Sequence, residues 1–302
     1  MSASSRILCA LDFSRPATPA FGVALALSRD GNAELTVVHA VPPSKQSSWR
    51  ARERIATTTA LRAQAGAAGV RLRVSEQHGD AAGVILRHAN AGRFDLIVLG
   101  TPATTGLDIV RSGSVAERVT AQARCSVLIV PMTEVRHEHR APFQNIMCPL
   151  DFTPASDAAL SHALHLTRSG GRVTLLHVSP QPMGALRHAS STAPEYSRRR
   201  HRGAWHRLQG AVPIDARTTT DISVRVGAGT PATEITRIAL EIGADLVVMG
   251  VSAVGAIGRT LNDSTAARVI RSAGRPVLAV PRQALERSDL HPESRSARPL
   301  AA

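Results

Sequence analysis

DLIVLGTPATTGLDIVRSGSVAERV, residues 95–119, and DLVVMGVSAVGAIGRTLNDSTAARV, residues 245–269, are two writings of one pattern. Each opens with an apolar run of strand length that ends at a glycine, Gly100 or Gly250. A loop of small residues follows, and then a segment with helical spacing. That order describes a strand–loop–helix unit. In a parallel sheet such loops sit at the carboxyl ends of the strands, where ligands collect. The chain reads as one domain written twice.

The flanking sequence doubles in the same way. In the first repeat RILCALDFS (6–14) reads as a buried strand ending at Asp12, and Ala17 to Leu27 has helix-forming composition stopped by Asp30, Gly31 and Asn32. ELTVVHAV (34–41) is a second strand closed by Pro42 and Pro43, and an Ala- and Arg-rich helical stretch runs from Trp49 to Ala68. VRLRVSE (70–76) alternates as a third strand, a helix covers Asp80 to Asn90, FDLIVLG follows, and CSVLIVP (125–131) is the fifth strand. The second repeat copies this order with NIMCPLDFT (145–153), GRVTLLHVSP (171–180), ISVRVGAGTPATEI (222–235), DLVVMG and PVLAVP (276–281). Asp151 then stands at the place of Asp12, and His177 at that of His39.

Strands alternating with helices imply an α/β fold of two tandem, doubly wound, five-stranded parallel-sheet domains with right-handed crossovers. The expected boundaries are residues 1–131 and 144–281, with a charged linker at 132–143 and a disordered tail at 282–302. Each domain is long enough to bury a core of its own. The last strands, CSVLIVP and RPVLAVP, are strongly apolar, and as uncovered edges they would invite aggregation. The two repeats are therefore expected to pack on each other through them. Further pairing into a homodimer is left open.

The chain has 302 residues, of which 43% are hydrophobic and only 3% aromatic, so its cores must be aliphatic. No apolar run approaches the roughly 18 residues needed to cross a bilayer. Asp12 interrupts the apolar patch Ile7 to Leu11, which argues against a secretory signal and for a cytoplasmic location. Cys9, Cys125 and Cys148 make no disulfide framework, and Cys9 and Cys148 read as buried, reduced thiols at matching places.

The net charge of +13 is carried by arginine, with Lys45 the single lysine. A basic surface favours anionic partners, though few aromatics are available to stack bases. The most basic segment, YSRRRHRGAWHR (196–207), reads as an exposed face, with docking of an anionic partner as the alternative. His137 and His139 flank Glu138 in the linker without a further ligand, so no metal site is assigned there.

An Asp closing strand one, a His in strand two, the DLIVLG strand and a Gly-Ser opening the last helix together resemble a universal stress protein domain. The chain is similar to the tandem members that carry two such domains, over about residues 5–131 and 144–281. The resemblance implies a fold like that of the adenine nucleotide alpha hydrolases, pairing of domains through their last strands, and in some members a bound nucleotide such as ATP. Nucleotide-binding members carry Gly, two residues, Gly, nine residues, then Gly with Ser or Thr. The glycines let backbone approach phosphate, and the helix start offers N–H groups and a positive dipole end.

Carried over, repeat one offers Asp12 for the adenosine, the backbone at Ala40 beside the base, Gly100 in the loop, and Gly113, Ser114 and Val115 for phosphate. Repeat two offers Asp151, Val178, Gly250, Ser264 and Thr265. Ala103 and Ala253 replace the middle glycine in the two copies, and Asp263-Ser264 replaces the final Gly-Ser in the second. Repeat one is therefore favoured for nucleotide, and a Mg ion accompanying it is the one metal expected.

Structural readings stand beside these. Ser114 and Glu117 fit a capping box, Gly100 and Gly250 would permit a tight turn, and Asp12 and Asp151 would cap the first helix of each repeat. A hydrolase would need a metal-holding carboxylate and a base near the loop. Asp108 lies in the loop and Asp12 beside it, without a recognisable catalytic arrangement, so no catalytic residue is assigned. The rival function is an interaction module that binds no nucleotide, its repeats forming an internal pseudo-dimer.

Overall fold

Apolar runs of five to eight residues become strands joined by helices, in the alternation the sequence implies. The computed structural model describes residues 5–13, 19–41, 48–102, 115–132, 143–167, 170–179, 193–251 and 264–282. Repeat one contains β1 (Arg6–Ala10), α1 (Pro19–Asp30), β2 (Glu34–Val41), α2 (Ser48–Ala67), β3 (Leu72–His78), α3 (Ala81–Gly92), β4 (Leu96–Pro102), α4 (Val115–Gln122) and β5 (Ser126–Met132). Repeat two contains β6 (Asn145–Pro149), α5 (Pro154–Leu166), β7 (Arg172–Ser179), α6 (Ala193–Gly210), the short α7 (Ala216–Thr219), β8 (Asp221–Ala228), α8 (Pro231–Glu241), β9 (Leu246–Val251), α9 (Thr265–Ser272) and β10 (Val277–Pro281).

The described strands form one ten-stranded sheet in the order β3-β2-β1-β4-β5-β10-β9-β6-β7-β8. Within each repeat the neighbours are parallel. At the centre β5 and β10 run antiparallel, with Leu128 opposite Leu278. Residues 128 and 278 hold the same place in their repeats, so a pseudo-twofold axis passes through this pair. The apolar last strands thus cover each other, as their composition requires.

The aspartates that begin the repeated pattern close the opposite end of the strands. Asp95 accepts from the backbone N–H of Arg6 at 2.8 Å and its own N–H bonds to the Arg6 carbonyl at 2.9 Å. Asp245 does the same for repeat two, accepting from Gln144 N at 2.8 Å and Asn145 N at 3.1 Å. Burial holds the Asp245 carboxyl above the usual range, against the lowering effect of those N–H donors. These aspartates pin β1 to β4 and β6 to β9.

Each repeat does not have a separate core. One cluster of buried side chains lies under α1, α2, α5 and α6 and joins Phe21 and Leu61 to Leu128, Leu278, Phe143 and Leu208. The other lies under α3, α4, α8 and α9 and joins Ile85 and Val119 to Ile129, Val277, Ile235 and Val269. The division follows the two faces of the sheet, because a continuous sheet lets packing run across β5 and β10. Cys9 and Cys148 are fully buried within the first cluster, and burial pushes both thiols far up. None of the three buried cysteines forms a disulfide.

The basic segment 196–207 lies in α6, a helix with Ala204 and Leu208 buried and Arg199, Arg202 and Arg207 exposed. Among the described residues no helix is long and apolar enough to cross a membrane.

Candidate functional site

Strand β1 lies between β2 and β4, with α1 on one face of the sheet and α3 on the other. That reversal makes the carboxyl ends of β1 and β4 the topological switch point of repeat one. Ala10 pairs with Leu99, so Asp12 and Gly100 follow on adjacent strand ends. Asp12 is exposed.

The turn that presents Asp12 is held from behind. Phe13 takes a left-handed backbone conformation at φ 57, uncommon for a bulky residue. Such a conformation costs on the order of 1–3 kcal/mol. Burial of the Phe13 ring, which stacks on His39 at 4.3 Å with an interplanar angle of 6°, offsets it. The His39 ring in turn donates from Nδ1 to the Leu11 carbonyl at 2.9 Å. A carbonyl can only accept, so the proton of a neutral ring must sit on Nδ1.

Repeat two rebuilds this arrangement. Phe152 is left-handed at φ 63, lies 4.7 Å from His177, and His177 Nδ1 donates to the Leu150 carbonyl at 2.8 Å. Here the basic helix adds a contact, with the Arg207 guanidinium 3.8 Å over the Phe152 ring. Pro149 stands where repeat one has Ala10. Lacking an N–H, it ends the β6–β9 ladder early, after Met147–Val247.

The repeat-two candidates carry structural duties. Asp151 is not the cap of α5. Thr153 is, with Ser156 in a reciprocal capping box and Pro154 in the first turn. Asp151 works one step back, accepting from the Thr153 hydroxyl at 2.6 Å and from the Thr153 N–H at 3.1 Å. The short polar residue nearest the helix wins the cap because its oxygen reaches the third N–H.

Neither Gly100 nor Gly250 makes a tight turn; both continue their strands, β4 and β9. A Cβ on Gly250 would lie 2.6 Å from Ser156 N and closer still to the Ala155 backbone, so the first turn of α5 uses the space. Ser264 caps α9, accepting from Ala267 N at 3.1 Å. Thr265 opens that helix. Ala40 and Val178, the half-buried residues after the two histidines, pair with Gln77 and Gly227.

In repeat one α4 opens at the exposed Val115. Gly113, Ser114, Ala103 and Asp108, like Ala253, Asp263 and linker residues 133–142, lie outside the described residues. Glu117, the expected partner of Ser114 in a capping box, is buried and receives Arg271 Nη1 from the other repeat at 2.6 Å.

Sequence reasoning missed Phe13 and Phe152, and with the latter the contact that Arg207 of the basic segment makes. The signal was present in the repeated Leu-Asp-Phe of LDFS and LDFT, notable in a chain so poor in aromatics.

A doubly wound α/β domain, duplicated and joined through its last strands, with an aspartate and a glycine at each switch point, defines the class. A family profile described as the universal stress protein family matches residues 4–131 and again 142–281. The chain belongs to the universal stress protein family. It is 33% identical over 141 residues to universal stress protein G of Escherichia coli O157:H7, covering 46% of this chain and 99% of that one. A Bacillus subtilis universal stress protein, YxiE, is 26% identical over 155 residues, covering 42% of this chain and 98% of its own length. Among solved structures, a universal stress protein of Archaeoglobus fulgidus superposes with a TM-score of 0.64 at 21% identity, covering 91% of this chain and 96% of that one. One from Pseudomonas aeruginosa does so with 0.64 at 16%, covering 96% and 98%.

Proposed function

We propose that repeat one binds an adenine nucleotide, ATP in the first instance, and that the protein acts as a cytoplasmic stress-protective regulator through conformation or partner contact. The observation that carries this reading is the exposed Asp12 just past β1, with Gly100 one residue beyond the Ala10–Leu99 pair on the adjacent β4, on a turn held by the stacked Phe13 and His39. A carboxylate held there suits the hydroxyls of a ribose, and a missing Cβ at Gly100 suits close approach of a ligand. Gly113 and Ser114, followed by Val115 at the start of α4, supply the N–H groups for phosphate by their place in the sequence.

Repeat two is the weaker site in this reading. Asp151, Gly250 and Ser264 serve the ends of α5 and α9, and Asp263 precedes Ser264 in the sequence where repeat one has Gly113, adding a negative charge that disfavours phosphate. A Mg ion would enter with the nucleotide, held by its phosphates. We take residues 132–143 as the linker between the domains.

The continuous sheet favours a second reading, an interaction module whose paired repeats present one rigid surface. Native mass spectrometry of the purified chain separates the two. Co-purifying adenine nucleotide supports the first, and a protein that carries none and takes up none from millimolar ATP supports the second.

A further inference from the structure

The pseudo-twofold axis through Leu128 and Leu278 maps each repeat onto the other, yet the polar contacts across the interface do not obey it. Glu117 on α4 pairs with Arg271 on α9 at 2.6 Å, the carboxylate side chain being only 6% exposed. Aligned on the repeated stretch, residue 267 stands at the place of Glu117 and residue 121 at that of Arg271. Both are alanine, so the symmetry-related position is apolar.

The other face of the sheet shows the same asymmetry. His162 on α5 reaches the Ser126 hydroxyl of β5 at 3.4 Å. Its symmetry-related pair is Val23 and Pro276, again apolar. Two polar contacts on opposite faces thus each occur at one of two equivalent places.

We infer that Glu117 and Arg271 form a specificity lock that makes repeat one pair with repeat two and not with a second repeat one. In a one–one interface of the same geometry, each Glu117 would meet Ala121 in place of a guanidinium. In a two–two interface Arg271 would meet Ala267. Burying the Glu117 carboxylate without its cation is costly, so the discrimination falls chiefly against one–one pairing, Arg271 being a third exposed. The apolar strands β5 and β10 make the interface adhesive without making it selective. Their facing residues, Val127, Leu128 and Ile129 against Ala279, Leu278 and Val277, would suit a one–one or two–two ladder as well. The lock supplies the discrimination that the strands lack, against exchange between copies of the chain.

The test cuts the folded full chain at a protease site placed in residues 132–143, lets the halves exchange, and reads the complexes by native mass spectrometry. The wild type is expected to keep the one–two complex at an equilibrium preference of about tenfold over random re-pairing, roughly 1.4 kcal/mol. Ala121→Arg with Ala267→Glu gives both repeats both charges and is expected to move the distribution towards random. A random wild-type distribution, or no shift in that variant, overturns the proposal. If the halves precipitate, denaturation of the intact chain decides. Glu117→Ala and Arg271→Ala must then be non-additive by about tenfold in the unfolding equilibrium constant. Adding Ala121→Arg and Ala267→Glu to that double variant must restore the midpoint. Additive effects, or no restoration, overturn the proposal equally.

Discussion

Leu128 stands opposite Leu278, its own counterpart in the second repeat, where β5 and β10 run antiparallel between two sets of described strands that are otherwise parallel. Both are buried, at 1% and 2% exposure, and both belong to a cluster that also holds Phe21 of repeat one and Ile146 of repeat two. The junction is therefore part of a shared core and not a contact between two finished domains.

A shared core makes unfolding cooperative. Urea denaturation of the intact chain is expected to give one transition by fluorescence and by far-ultraviolet circular dichroism. Leu278→Ala should lower stability by about 3 kcal/mol through lost burial and the cavity left behind. Two resolved transitions, only one of them moved by Leu278→Ala, would show independent domains.

Gly250→Ala is expected to destabilise by about 1–3 kcal/mol, because the added methyl meets the backbone of Ala155 and Ser156, which cannot swing aside as a side chain can. The comparison is with Gly66→Ala in α2, where nothing lies within 4 Å of the new methyl. There a helical alanine should be neutral or stabilising. Equal denaturation midpoints for the two variants would remove the close approach of α5 and β9 from the account.

Acid sensitivity follows from His162. Burial holds its pKa below the ordinary 6.5, against the raising effect of the Ala158 carbonyl, and with a lesser lowering from the charge of His165. The folded state thus binds the proton less well than the unfolded state. Stability is full above the unfolded pKa and falls as pH drops from about 6.5 towards the folded value. His88, lowered by burial and then by Arg6, acts in the same direction. His162→Val, which copies Val23 of repeat one, should shrink the loss of denaturation midpoint between pH 7.5 and 5.5. An unchanged loss would assign the acid sensitivity elsewhere.

The alternation of strands and helices was legible because apolar runs such as ELTVVHAV have strand length and stop at turn residues, and β2 occupies the residues expected of it. The pairing of the last strands was legible from their uninterrupted apolar character. The common core was not, since periodicity tells which face of an element is buried but not which neighbour buries it. Thr153 took the cap of α5 ahead of Asp151 because capping is decided by reach, and Asp, Phe and Thr in a row leave the choice open. The duty of Gly250 was hidden for a similar reason. The backbone it makes room for belongs to α5, far away in the chain, and a glycine in a strand announces only that something comes close. The strained Phe13 was the least visible, because a left-handed phenylalanine contradicts local preference and is held by a tertiary contact with His39.

The central claim is that repeat one binds adenine nucleotide and repeat two does so weakly or not at all. Calorimetric titration of ATP with Mg into the wild type, Gly113→Asp and Asp263→Gly tests it most directly. A phosphate and a carboxylate about 4 Å apart repel by roughly 4 kcal/mol at an effective dielectric of 20. Even a third of that costs about tenfold in affinity. The expected result is one site per chain in the wild type, no measurable binding in Gly113→Asp, and a second or tighter site in Asp263→Gly. ATP affinity unchanged by Gly113→Asp would contradict the assignment to repeat one.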